Sequence, residues 1–142
     1  MAFFPYSGRW RTEWYPKAAS TVFTHGDLVY FNLSGAIIPA DSTSGNHTGI
    51  IQKDAVSTDA DYASTTSVPV LVPELGALVR CDNVDGTLTT AMVGGFYDLS
   101  NAESVNVAAQ AKNVVLVKKF ISATEGVFEI NAMADRVNVA TT

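Results

Sequence analysis

Apolar residues in this chain come in short runs separated by small polar turn residues, a spacing that predicts strands joined by tight turns. Leu-Val-Tyr-Phe (28–31) follows Gly26-Asp27, and Ala-Ile-Ile-Pro (36–39) follows Ser34-Gly35, which predicts a hairpin whose second strand stops at Pro39. Thr-Gly-Ile-Ile-Gln-Lys (48–53) and Val-Pro-Val-Leu-Val-Pro (68–73) supply two further strands. Proline cannot donate to a ladder, so Pro69 and Pro73 restrict the second of these to a sheet edge or to non-bonded positions. Residues 41–47 and 54–67 read as polar loops, and no internal repeat is present.

The segment Val79–Ile130 continues the pattern with runs rich in Val, Ile, Leu, Phe and Tyr. Asp85-Gly86 is read as a hairpin turn, with positive-φ positions, and Gly94-Gly95 as a bulge or a close backbone approach. Ser100 and Glu103 form the one helix-start signal, enough for a single short turn. Strand signals extend to Val139. Many short strands without the alternating helices of a βαβ chain predict an all-β fold, a small barrel or sandwich with at most one short helix.

Residues 1–17 differ in composition from the predicted single β-rich domain at 18–142. They hold Phe3, Phe4, Tyr6, Trp10, Trp14 and Tyr15, interleaved with Arg9, Arg11 and Lys17. Pro5, Gly8 and Pro16 argue against a continuous helix, so an extended arm or edge segment is expected. Each aromatic side chain buries roughly 150–250 Å², so six bury at most about 900–1500 Å², comparable with the ~800 Å² that one partner contributes to a stable interface. Phe3, Phe4, Tyr6, Arg9, Trp10, Arg11, Trp14 and Tyr15 are therefore the candidate partner-binding residues. The alternative is that these rings fold back and cap their own domain, with Trp10 and Trp14 facing different ways.

The chain has 142 residues, 47% hydrophobic and 16% charged, with a formal charge of −5. That length suits one domain, and sparse charge leaves room for wide contacts with other chains. Nine Lys and Arg are too dispersed for a nucleic-acid surface. No run approaches the roughly 20 apolar residues of a membrane span, and the thin basic face of the aromatic segment disfavours lipid anchoring. Arg9, Arg11 and Pro5 interrupt a secretory signal pattern, so export is not expected and the sequons at Asn32 and Asn46 are read as chance matches.

The candidate chemistry is thin. His25 and His47 lie in turn-like contexts without a nucleophile or further ligands, and solvated loop histidines are the expectation. Asp54, Asp59 and Asp61, like Asp82 and Asp85, do not follow a calcium-loop order. The single cysteine, Cys81, reads as a small buried hydrophobe. No phosphate loop or nucleophile elbow occurs. Neither a cofactor nor an enzymatic activity is expected.

Gly-Ile-Ile-Gln-Lys-Asp (49–54), Val-Pro-Val-Leu-Val-Pro (68–73), Val-Gly-Gly-Phe-Tyr-Asp-Leu (93–99) and Lys-Phe-Ile-Ser-Ala-Thr-Glu-Gly-Val-Phe-Glu-Ile (119–130) resemble segments of the capsid decoration, or cement, proteins of tailed bacteriophages. The resemblance spans roughly residues 49–131. It implies a compact β-rich trimer on the outer face of the phage head that contacts the major capsid protein, reached from the host cytoplasm during assembly. Such a protein prefers the mature lattice and stabilises it by its affinity difference. A second reading is a carbohydrate-binding β-module of a phage tail or receptor-binding structure, carried by Ser/Thr/Asn-rich loops and by Tyr62 and Tyr97.

Overall fold

A computed structural model describes residues 2–43 and 47–130. Among them are twelve strands: β1 (Phe3–Ser7), β2 (Trp10–Pro16), β3 (Leu28–Phe31), β4 (Ile37–Pro39), β5 (His47–Ile51), β6 (Ser67–Pro73), β7 (Leu78–Cys81), β8 (Val84–Asp85), β9 (Phe96–Asn101), β10 (Ser104–Asn106), β11 (Val115–Ser122) and β12 (Glu125–Ile130). The strands form a seven-stranded sheet, ordered β1-β7-β12-β11-β9-β10-β8, and a five-stranded sheet, ordered β2-β6-β5-β3-β4. The fold is an all-β, two-sheet sandwich and not a closed barrel. The strand signal that reaches Val139 lies outside the described residues. No helix among the described residues is long and apolar enough to cross a membrane.

The seven-stranded sheet buries one face in the larger core. Phe128 is the centre of that face, flanked in register by Val79 on β7 and Val117 on β11, and all three are fully buried. Phe3, Cys81, Leu99 and Val115 extend the same layer. Burial pushes the Cys81 thiol up to about 11, so the folded protein holds it protonated.

The five-stranded sheet is apolar on both faces, which explains its unbroken hydrophobic runs. Leu28, Tyr30, Ile50, Leu71 and Trp10 face the larger core. Their strand neighbours Val29, Phe31, Ile51, Val70, Val72 and Tyr15 turn the other way into a second core with Phe23, Ile37 and Val68. The sheet curls around this small core until its edges meet at one end, where Lys17, just after β2, bridges Ile37 of β4. Lys17 seals that end: it is 1% exposed, and its Nζ donates to the carbonyls of Tyr62 at 2.9 Å and Ser64 at 2.8 Å.

Two close approaches need glycine. The chain passes between sheets at the β1–β2 corner and again at the β6–β7 corner, and these corners stack, with the Glu74 N–H donating to the Arg9 carbonyl at 3.0 Å. A Cβ at Gly8 would sit 2.7 Å from Ala77 Cα. At Gly49 a Cβ would sit 2.0 Å from the Leu71 carbonyl oxygen, so β5 reaches β6 only without a side chain there.

Several local expectations are corrected. β6 is not at an edge but lies between β2 and β5, and the other expected option holds: Pro69 and Pro73 fall outside the β5 register, which covers only Val70 and Leu71 between them. The Pro69 carbonyl still accepts from the Gln52 N–H at 3.0 Å. Gly86 does take positive φ, at 94°, but Asp85-Gly86 closes no hairpin: β8 pairs in parallel with β10. Residues 100–103 start no helix. They form the tight β9–β10 turn, where the Glu103 N–H donates to Asn101 Oδ1 at 2.8 Å, and the short helical turn is a 3-10 segment at Thr90–Met92. His47 is placed in β5, not in the preceding loop. Gly94-Gly95 is the expected close approach, with the Gly94 N–H donating to the Val117 carbonyl at 2.8 Å.

Candidate interaction surface and an acidic pocket

The aromatic segment is not an arm apart from the body. β1 is the edge strand of the seven-stranded sheet and β2 an edge strand of the five-stranded sheet, so residues 3–16 are hydrogen-bonded into the sandwich. This placement sorts the candidate residues by exposure. Phe3 is fully buried in the larger core and cannot touch a partner. Trp10 packs on that core and donates from Nε1 to the Ser7 carbonyl at 3.2 Å. Tyr15 sits edge-on to Phe31 in the small core, ring centroids 4.9 Å apart. Phe4 is half-buried opposite Arg80, which pairs with Glu125.

The outward residues are Tyr6, Arg9, Arg11 and Trp14. Trp14 is 64% exposed beside Pro69 of β6, its register partner. Trp10 and Trp14 lie four positions apart on one strand, so they share a face instead of pointing apart; Trp10 is covered and Trp14 extends beyond the core. Lys119 Nζ stands 6.0 Å from the Tyr6 ring, within cation–π range. Arg11 Nε donates to Glu13 Oε1 at 3.0 Å on the exposed edge. The interface area expected from six aromatic rings is therefore too large, because the protein's own cores take up Phe3, Trp10 and Tyr15.

Leu33 and Leu75 were not singled out by sequence and are fully exposed at the tips of the β3–β4 and β6–β7 turns. The usable signal was an apolar residue inside a turn motif, Asn-Leu-Ser-Gly and Glu-Leu-Gly, where solvation ordinarily selects a polar one. Leu75 lies at the stacked corner next to Arg9.

A polar cavity of about 490 Å³ opens where the two sheets join, lined by Thr24, His25, Asp27, Asp82, Asn83 and Glu103 together with Ala2. The join itself is the Leu28 N–H donating to the Ala102 carbonyl at 2.9 Å and the bridge between Asp41 and Asn101. Asp27, ahead of β3, is 6% exposed; its Oδ2 accepts from the Thr24 N–H at 3.0 Å, and its Oδ1 is buried without a hydrogen-bond partner. Burial is the main force raising the Asp27 carboxyl to about 6; the Thr24 N–H opposes the shift, and the Glu103 and Asp54 carboxylates add to it. Glu103 is held on the other wall by its turn, with Asn83 Nδ2 donating to its carbonyl at 3.3 Å and to Ser104 Oγ at 2.8 Å.

His25 lies in a turn, as expected, but is not simply solvated. It is half-buried in the cavity wall, its N–H donating to Asp54 Oδ1 at 2.7 Å and its Nε2 3.3 Å from Gln52 Oε1. No group of three or more His, Cys, Asp or Glu among the described residues is arranged to hold a metal ion. Asp59 and Asp85 are used locally, accepting from the Val56 N–H and the Ser100 hydroxyl. Tyr62 and Tyr97 are half-buried; the Tyr62 hydroxyl donates to the Ser20 carbonyl and Tyr97 packs on the larger core.

No protein-family model matches the chain, and no curated protein matches it.

Proposed function

We propose that the protein is a capsid decoration protein of a tailed bacteriophage, a homotrimer on the outer surface of the head that binds the major capsid protein and stabilises the mature lattice. The observation that supports this reading best is Trp14, a large aromatic 64% exposed on an edge strand of a two-sheet body. Edge strands offer unpaired backbone groups to a neighbour, and Trp, Tyr and Arg dominate interface energetics. Tyr6, Arg9, Arg11 and the turn-tip Leu75 supply the surrounding contacts. Phe3 belongs to the folded core and not to the binding set.

Deleting residues 1–17 would remove two strands and part of the core, so the test uses surface substitutions. Purified protein forms trimers by light scattering and co-sediments with expanded heads. Trp14→Ala weakens head binding by roughly tenfold or more, a hot-spot loss. A monomer that never associates with heads overturns the proposal; undiminished binding by Trp14→Ala with Tyr6→Ala overturns the assignment of the edge.

A further inference from the structure

We infer that the outer edge of β2 binds a second copy of this chain, pairing with that copy's own β2 antiparallel about a two-fold axis at Thr12. This inference goes beyond the capsid reading and does not rest on it.

The backbone leaves that edge open over Trp10–Trp14. The Pro69 carbonyl accepts from Gln52, so Pro69, Leu71 and Pro73 direct their backbone groups to β5, and Val68, Val70 and Val72 direct theirs to β2. The register partners of these valines on β2 are Tyr15, Glu13 and Arg11. The Lys17 N–H, donating to the Thr66 carbonyl at 3.1 Å, continues the same alternation. Trp10, Thr12 and Trp14 therefore turn their N–H and C=O groups outward, on a strand that ends its sheet. Among the described residues the chain meets β4 only past Pro16, where the Ala18 N–H donates to the Ile37 carbonyl. Such an edge is a template for another strand, and neither proline nor lysine guards it between residues 10 and 14.

The residues along the edge select the occupant. Trp-Arg-Thr-Glu-Trp (10–14) is complementary to itself: antiparallel about Thr12, Trp10 falls opposite the second copy's Trp14, and Arg11 opposite the second copy's Glu13. The same register joins the outward backbone groups as ladder bonds, Thr12 to Thr12 and Trp10 to Trp14, so backbone and side chains agree. Sliding by two residues either way sets Arg11 against Arg11 or Glu13 against Glu13, and like charges directly opposite are destabilising.

Arg11 and Glu13 share one face, with side chains 49% and 43% exposed, and already pair within the chain. In the two-fold contact they and their copies alternate in sign around a square, across pairs whose Cα atoms stand about 4.5 Å apart. On the other face Trp14, 64% exposed where it extends past its own core, meets the second copy's Trp10, and aromatic pairs across strands strengthen the contact. A two-fold contact lies outside a trimer's own interfaces; on the capsid reading it joins copies of different trimers until heads compete for Trp14.

The experiment oxidises full-length Thr12→Cys and measures the disulfide-linked dimer, while sedimentation equilibrium of the unsubstituted protein follows doubling, dimer from monomer or hexamer from trimer. In the ladder pair the two Thr12 Cα atoms stand about 5.5 Å apart, a distance a disulfide spans, and Cys81 is buried. Thr12→Cys links efficiently. Arg11→Glu or Glu13→Arg, each of which gathers four like charges, lowers both the linked yield and the doubling constant roughly tenfold or more. Carrying both substitutions restores them, which neither a folding defect nor random collision does. Thr12→Pro removes the central outward donor, leaves the β6 ladder intact and abolishes doubling. No doubling, linkage as efficient with Arg11→Glu as without it, or no recovery in the double variant each overturns the inference. So does weaker head binding by Thr12→Pro in a protein that does not double, which gives the edge to a capsid strand. Failure of the capsid reading, an absence of head binding, leaves doubling, linkage and rescue unchanged.

Discussion

The two sheets solve the same problem in opposite ways. The seven-stranded sheet buries one face and leaves Arg80, Lys119 and Glu125 on the other. The five-stranded sheet buries both faces except along β2, one against its larger neighbour and one around a small core of its own. A sheet packed on both sides has little room to adjust, so its tolerance depends on single contacts such as Gly49 against Leu71 and Lys17 against two loop carbonyls. The surface features follow the same division: the polar cavity lies at the join, and the exposed aromatics lie on the outer edges.

The largest effect expected within this contrast is at Gly49. Gly49→Ala forces β5 away from β6 and costs on the order of 3–5 kcal/mol by denaturant unfolding. A loss below about 1 kcal/mol would mean that the five-stranded sheet is no more tightly built than its partner. Lys17→Met keeps the volume but takes the charged donor from the Ser64 carbonyl, while the Tyr62 carbonyl still accepts from the Ser20 N–H, and about 1–3 kcal/mol of stability is lost. A neutral result would show that the small core does not depend on its polar seal.

Asp27→Asn moves stability in the other direction. The folded-state carboxyl is raised to about 6 from the ordinary 3.8, so between those values the folded protein holds more protons than the unfolded chain. Stability of the unsubstituted protein therefore falls as pH rises through that window and stays lower above it. Asp27→Asn removes the dependence and gains on the order of 2–3 kcal/mol at pH 8, with little change below pH 4. Urea unfolding at pH 4, 6 and 8 checks the sign; a variant less stable at pH 8 would show that the carboxylate is satisfied in the empty cavity. The smallest effect is at the outer edge, where Trp14→Ala changes stability by about 0.5 kcal/mol while head binding drops. Comparable losses of stability and binding would place Trp14 in the packing and not at an interface.

The strand runs 28–31, 36–39, 48–53 and 68–73 were legible because β-branched and aromatic residues between turn motifs have few other ways to pack. The β3–β4 hairpin was legible for the same reason, and so was the burial of Cys81. Pro69 and Pro73 left β6 either at a sheet edge or with its prolines at non-bonded positions, and the choice was not legible, since where a neighbouring strand leaves the ladder is not a local property. The Ser100–Glu103 motif fits a helix cap and an Asx turn equally well until the strands on either side pair. The composition of the segment singled out the candidate partner-binding residues, but only the alternation along β1 separated Phe3 from Tyr6, and only the extent of the larger core along β2 separated the covered Trp10 from the exposed Trp14 on the same face.

Local chemistry thus determined that this chain makes strands, where most of them turn, and that its first 17 residues carry unusual apolar surface. The tertiary structure alone decided which sheet each strand joins, that one sheet is covered on both faces, and that Asp27 meets Glu103 across a cavity. Strand pairing and carboxylate proximity join residues far apart in sequence, and their energies depend on burial, a property of the assembled layers and of no segment by itself.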